Sequence, residues 1–430
     1  MTNQYTLMHK NIPVVDVELD DDAQITKIIN EKEINAVHFP IKDLNRSALK
    51  RNLNEWWKYR CISYKRDGIK ERIHELGYDD IVIPELIKKC LGFNLTDGYW
   101  IKPKGSDLRW EDLNFFSNAY SEKLGELIIN ERPVRGLNDD EKMSPDPCTG
   151  GHLPKQWLNI DGKNCLAKTV YCRTSSVRGH SMEAYNEVVT SRIADVLGIP
   201  HVPYSEMKRN NKLYSICETV SSENVEYISA DSLRGQIKKN NSQNNYQYMI
   251  DLFELNGIPR EQTIDFFNKM IAFDYLVCNE DRHYNNFGLL RDINTCETIG
   301  ICPLFDNGMS LYHSDFNMQR QIFSDYDLNR QECKPFANKW GSQIKLITDL
   351  SWLDFEKARR EIPDIIRDCY QPIVESGIRE KEAVDALIRK TMLRFDRLDN
   401  IQKQIETEKQ EKEENFAQNS SKFDISQQFC

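Results

Sequence analysis

Residues 278–290 read CNEDRHYNNFGLL, an acidic pair, two bases, adjacent amides and a glycine set directly after a strongly apolar run. Within this stretch Asp281 and Asn286 have the spacing that phosphoryl transfer uses, one residue to take a hydroxyl proton and the other to hold Mg²⁺. A metal held against phosphates also needs an anionic oxygen ligand. Asp306 offers one, at the end of the short apolar run ICPLF and before an Asn-Gly step that lets the chain turn sharply. The competing reading is a polar turn that closes a helix, since an Asp or Asn in a turn is more often a cap than a ligand. The order of features favours the catalytic loop: apolar helix, Asp-Arg-His-x-x-Asn, hairpin, then an apolar strand ending in Asp. His283 reads as a structural residue that orients the loop, which leaves the base role to the Asp281 carboxylate.

Phosphoryl transfer also needs a cation on the nucleotide phosphates. Lys168 is the candidate, because Leu166, Lys168 and Val170 share one face of a predicted strand. An edge-strand lysine exposed to water fits the same stretch equally well. A buried lysine needs a carboxylate partner, and both Glu187 and Glu183, one turn earlier on the next predicted helix, stand in the right order. Gly150 and Gly151 in CTGGHLPK (148–155) precede the strand pair and could present backbone N–H groups to phosphates. Neither G-x-x-x-x-G-K-[ST] nor G-x-G-x-x-G occurs, so P-loop and Rossmann sites have no support.

The elements that must position these residues belong to a chain of 430 residues, longer than one hydrophobic core usually serves, so two or three packed units are expected. Forty per cent hydrophobic and ten per cent aromatic residues supply a proper core. With 57 basic against 67 acidic side chains, a net charge of −10 and no long basic block, the chain is not a dedicated electrostatic binder of nucleic acid. Twelve cysteines without a C-x-x-C pair suggest neither a zinc ribbon nor a thioredoxin-like site, and reduced thiols in a cytosol are the simplest reading. The stretch MTNQYTLMHKNIPVVDVELDDD has no apolar h-region, and no window reaches the length of a membrane span, so neither secretion nor insertion is expected.

Periodicity then divides the chain. Residues 47–63 read as a helix with Leu49, Leu53, Trp56 and Tyr59 on one side, and 99–116 as a strand, a turn and a short helix. Residues 155–172 form two strands around Asp161-Gly162, a strong hairpin signal because both positions tolerate positive φ. A helix over 183–199 follows, stopped by Gly198, and then a hairpin around Asn210-Asn211. Residues 221–248 are polar and read as an insertion or hinge region with low order in its middle. A buried helix follows over 261–278 and a helix with an apolar stripe over 382–398, and the charged stretch after about 405 reads as a frayed helix passing into a disordered tail. The fold class is α+β, with domains at 1–105 (no assigned role), 106–222 (β-rich), 223–405 (helical) and 406–430 (tail).

Taken together, CNEDRHYNNFGLL, PLFDNGMS, CTGGHLPK and the strand-borne Lys168 resemble the HipA-like serine/threonine kinases, a bacterial family with a two-lobed kinase fold and several toxins of toxin–antitoxin pairs. The resemblance covers about residues 144–398. It implies that Asp281 is the catalytic base, Asn286 and Asp306 the Mg²⁺ ligands, Lys168 the contact to the α- and β-phosphates of ATP and Glu187 its partner. It makes Glu218 to Val220 the hinge whose backbone meets adenine, and Gly150 and Gly151 part of the phosphate-binding loop. Members often carry an autophosphorylated Ser in that loop, where this chain has Cys148 and Thr149, with Ser144 further back. The Asp-Arg-His-x-x-Asn motif is shared with phosphoinositide kinases, so the acceptor is open. The first expectation is an ATP- and Mg²⁺-dependent kinase of protein hydroxyls, cytoplasmic, with an antitoxin protein as partner and no direct contact to nucleic acid or membrane. The alternatives are a lipid or small-molecule kinase with the same site, or a nucleotide-binding pseudokinase serving as an interaction module.

Overall fold

A computed structural model describes residues 3–61, 82–129, 136–151, 154–169, 172–173, 180–209, 212–314, 318–323 and 327–427. Alternating apolar residues at the start of the chain build a four-stranded antiparallel sheet in the order Ile25–Ile28, Ile12–Leu19, Gln4–His9, Tyr99–Pro103. Leu7, Val17 and Ile25 on that sheet bury against Leu49, Leu53 and Trp57 of the helix Leu49–Tyr59. The buried side of this helix therefore runs through Trp57. Trp56 is only partly covered and Tyr59 is 62% exposed, contrary to the expected stripe, because positions 49, 53 and 57 keep the i, i+4 step more closely.

A second antiparallel sheet runs Lys155–Ile160, Lys163–Thr169, Lys212–Glu218, Ser205–Arg209. Its first hairpin turns at Asp161 and Gly162, with φ of 51° and 81°, as the Asp-Gly pair predicts. The helix Glu183–Leu197 packs across this sheet and ends at Gly198, whose φ of 65° lets the chain leave the helix. The turn expected at Asn210-Asn211 and the strand position Val170 lie outside the described residues.

The polar stretch 221–248 carries regular structure toward both ends, and residues 234–244 between them form neither helix nor strand. Val225–Ser229 is a strand, paired antiparallel with Gly288–Asp292, which in turn pairs with Thr298–Ile301. Its partner lies about sixty residues downstream, so no local signal marks it. Beyond this sheet the chain is helical. Asn245–Leu255, Arg260–Val277, Phe355–Glu375 and Lys381–Gln427 enclose the largest apolar core, centred on Phe253, Phe267, Ile271, Ile362 and Leu387. The last helix continues to Gln427, through the segment read from composition as a tail. Among the described residues no helix is long and apolar enough to cross a membrane.

Candidate active site

The helix Arg260–Val277 is buried on nearly all sides, and Asp274 in its last turn is fully enclosed. Cys278 closes the helix in the left-handed region (φ 55°), and the chain then folds back on Asp274. The Asn279 N–H donates to the Asp274 carbonyl at 2.8 Å and its side-chain amide to the Asp274 carboxylate at 2.9 Å. Arg282, also fully buried, meets that carboxylate through Nε and Nη2, each at 2.9 Å. Its Nη1 donates to the carbonyls of Asn286 (2.9 Å) and Phe305 (2.7 Å), and Nη2 also reaches Asn307. One guanidinium thus fastens the Asn286 backbone to the residue before Asp306. A paired buried charge of this kind holds geometry more than it stabilises.

With Arg282 turned inward, Asp281 points the other way. Its N–H donates to Asn279 Oδ1 at 3.1 Å, and its carboxylate meets Lys334 Nζ at 2.6 Å in a partly exposed pair. The Asn286 amide donates to the Asp281 carbonyl at 3.0 Å, which leaves Asn286 Oδ1 as the end able to accept a cation. His283 Nδ1 accepts from the Asn285 N–H at 3.2 Å, so His283 does orient the loop. The stretch is therefore both a helix-closing turn and a display of Asp281 and Asn286.

Strand register settles the choice at Lys168. Its side chain is 5% exposed and faces the helix Glu183–Leu197, where it forms an ion pair with the fully buried Glu187 and lies 2.9 Å from Asp306 Oδ1. Ser215, directly opposite Lys168 on the next strand, donates to the other oxygen of Glu187 at 3.0 Å. The rival, Glu183, is engaged elsewhere, accepting from Ser181 Oγ at 2.9 Å and lying 3.4 Å from His313 Nδ1. Burial works against the Lys168 cation, but Asp306 and Glu187 more than offset it and hold its pKa above the usual lysine range. Burial pushes Glu187 up to about 7 against the pull of Lys168. Asp306 is held well below the carboxylate range, where burial is outweighed by Lys168 and Lys155. The proton stays on the lysine, and Asp306, 44% exposed, is the anion of the trio that faces outward.

Asp306 takes a left-handed φ of 55°, with its N–H donating to Tyr204 Oη at 3.3 Å. Two residues on, a Cβ at Gly308 would stand 2.6 Å from the Glu183 carbonyl, so only glycine lets this turn pack on the helix. Glu218 ends its strand with its side chain on Lys163 at 2.7 Å. Val220 joins Leu166, Val188, Val202, Tyr204, Cys217 and Phe305 in an apolar cluster next to Lys168. Gly150 and Gly151 lie at the other edge. A Cβ on Gly150 would meet the Tyr59 carbonyl at 2.2 Å, and the Gly150 carbonyl accepts from Lys155, which stands opposite Lys168 in the sheet. His152 and Leu153 lie outside the described residues. Ser144 is fully buried and donates to Asp146 at 2.5 Å. Thr149 donates to the Pro145 carbonyl at 2.9 Å and accepts from Trp157 Nε1 at 2.8 Å.

The structure thus brings Lys168, Glu187, Asn286 and Asp306 to one place and sets Asp281 on the loop that carries Asn286. Sequence reasoning passed over Asp274, Arg282, Ser215 and Lys334. Ser215 was reachable from strand pairing, but nothing local marks Lys334, which is 53 positions from Asp281.

A family model described as the HipA-like C-terminal domain matches residues 148–376. Among solved structures, the HipA of Shewanella oneidensis MR-1, determined in complex with HipB and operator DNA, is 13% identical. The match covers 93% of this chain and 99% of that one with a TM-score of 0.50. The proinflammatory kinase CtkA of Helicobacter pylori is 18% identical over 58% of this chain and 94% of that one, with a TM-score of 0.43. No curated protein matches the chain. The fold is α+β and kinase-like, a β-rich lobe followed by a mostly helical one, with an additional N-terminal region.

Proposed function

The chain belongs to the HipA-like C-terminal domain family, and from that premise we propose that it is an ATP- and Mg²⁺-dependent protein serine/threonine kinase. Residues 106–222 act as the N-lobe and 223–405 as the C-lobe. The observation that carries the reading is the connection made by Arg282, which ties Asn286 to the residue before Asp306 while Asp306 meets Lys168.

Asn286 Oδ1 and the ionised Asp306 carboxylate are hard oxygen donors of the kind Mg²⁺ prefers, and they would hold it. When bound, the ion neutralises charge on the phosphates. Lys168, held charged by Glu187 and Asp306, binds the α- and β-phosphates, and Ser215 fixes Glu187 behind it. Gly150 and Gly151 cover the phosphates. The apolar cluster around Val220 and Leu166 takes the adenine ring, with the backbone of Glu218 to Val220 meeting its edge. Asp281 accepts the proton of the incoming hydroxyl as the new oxygen–phosphorus bond forms and the bond to the ADP oxygen breaks.

The Shewanella HipA is solved with HipB and DNA, which supports an antitoxin protein as partner and toxin as role for this chain. A net charge of −10 favours contact with a protein over contact with DNA, in a cytoplasmic setting. The test incubates the purified chain with labelled ATP and Mg²⁺, offers protein and lipid acceptors and locates the label by mass spectrometry. Label on a protein Ser or Thr, lost in Asp281→Asn, is expected. Transfer to lipid alone, or nucleotide binding with no transfer, would replace the reading with a lipid kinase or a pseudokinase.

A further inference from the structure

Away from this site, three side chains from distant parts of the chain converge on one point. His9 ends the strand Gln4–His9, His38 follows in a connecting segment, and Cys296 sits in the turn between Gly288–Asp292 and Thr298–Ile301. His9 Nδ1 lies 2.7 Å from His38 Nδ1, and Cys296 Sγ lies 3.3 Å from that same nitrogen. All three donor atoms lie within 4.8 Å of one another. A single proton on His38 Nδ1 serves one of these contacts and not both, whereas a cation serves all three.

The surroundings are those of a ligand set. His9 is 1% exposed, and its other nitrogen, Nε2, lies 3.1 Å from Glu226 Oε2. Glu226 is itself fixed by Arg291 at 2.7 and 2.6 Å. A carboxylate behind a histidine fixes the ring and its tautomer and turns the free lone pair toward the metal. Tyr99 stacks on the His9 ring at 4.4 Å and donates to the His38 carbonyl at 2.9 Å, orienting both residues. Tetrahedral zinc with bonds of about 2.0–2.1 Å to nitrogen and about 2.3 Å to sulfur sets its ligand atoms roughly 3.3–3.6 Å apart. The Cys296–His38 separation of 3.3 Å lies close to that range, and the two imidazole nitrogens, 2.7 Å apart, would have to part by about 0.6 Å, a shift that falls to the half-exposed His38.

We propose that His9, His38 and Cys296 bind one divalent transition metal of the zinc class, with the fourth position left to solvent. Two imidazoles and a thiolate suit Zn²⁺ and not Mg²⁺ or Ca²⁺. The metal clasps the N-terminal sheet to the hairpin that leads toward Asp306. The spacing 9, 38 and 296 follows no metal motif, so the sequence alone does not announce it.

The test uses the full chain, stripped with EDTA under reducing conditions, titrated with Zn²⁺ against a chromophoric chelator and separately with Co²⁺. One equivalent of Zn²⁺ and a thiolate-to-cobalt charge-transfer band are expected. Cys296→Ser should abolish the band, and both Cys296→Ser and His38→Ala should weaken Zn²⁺ binding at least tenfold, with folding checked by circular dichroism. If either variant unfolds, the Co²⁺ spectrum of the unaltered chain decides. Absence of stoichiometric Zn²⁺ binding, Co²⁺ bound without the band, or affinity unchanged in folded variants would overturn the proposal.

Discussion

Lys334 places its ammonium 2.6 Å from the carboxylate of Asp281, although it lies 53 residues further along the chain. Both groups are partly exposed, so the pair adds only about 0–1 kcal/mol to stability. Its position beside the proposed base is a reason for a role in transfer, by orienting Asp281 and adding positive charge where phosphate arrives. Lys334→Met should leave the melting temperature almost unchanged and lower transfer about tenfold. A rate equal to that of the unaltered chain would make Lys334 a surface residue.

Lys168 and Glu187 should behave as a unit. Lys168→Met keeps most of the side-chain bulk and removes the cation, so a folded protein with transfer reduced by orders of magnitude is expected. Glu187→Gln should do less damage, since the lysine keeps its charge and its contact with Asp306.

Glu183 gives the contrast, because it faces Ser181 and His313 and not Lys168. Burial acts against its carboxylate, but His313 and Ser181 outweigh burial and hold its pKa below the usual value. A depressed carboxylate contributes stability that is present above its unfolded pKa, about 4.3, and is lost as pH falls below that. Glu183→Gln should therefore be less stable than the unaltered chain at pH 7, with the difference closing below about pH 4 in denaturant titrations. Transfer should survive this change better than it survives Lys168→Met.

The two carboxylates of the proposed site have separable tasks. Asp281→Asn should bind ATP with Mg²⁺ normally and hold transfer near background. Asp306→Asn removes the proposed anionic metal ligand and a partner of Lys168, so it should weaken Mg²⁺-dependent ATP binding as well as transfer. Calorimetric titration with ATP, with and without Mg²⁺, distinguishes them. Equal loss of ATP in both variants would contradict this division of labour.

Arg282→Met leaves Asp274 enclosed without its charged partner, and removing one partner of a buried charge pair costs about 3–5 kcal/mol. The midpoint of chemical unfolding should fall accordingly, and the variant that still folds should transfer phosphate poorly. A variant of unchanged stability would show that the brace is dispensable.

If the chain phosphorylates itself in the loop before residue 152, the label should sit on Thr149 and not on Ser144. Ser144 is fully buried, whereas Thr149 is partly exposed and held by two hydrogen bonds that the loop can release. Peptide mapping of labelled protein reads this directly. Thr149→Asp adds charge beside the proposed phosphate site and should lower transfer.

Much of this molecule is legible from its sequence by itself, because the signals are local. Asp161-Gly162 specifies a hairpin through the positive φ both residues adopt, Gly198 stops a helix for the same reason, and the spacing of Asp281 and Asn286 is what makes them candidates. What only tertiary structure decides is long-range pairing. Period alone cannot tell whether the face bearing Lys168 meets water or a helix, nor choose Glu187 over Glu183. The helix Glu183–Leu197 packed on the sheet, and Ser215 opposite Lys168, make that choice. Val225–Ser229 becomes a strand only because Gly288–Asp292 offers it an edge, and polar composition conceals that possibility. Arg282 reads as one more charged loop residue until Asp274, Asn286 and Phe305 close around it, since a buried charge is tolerated only where distant partners meet it.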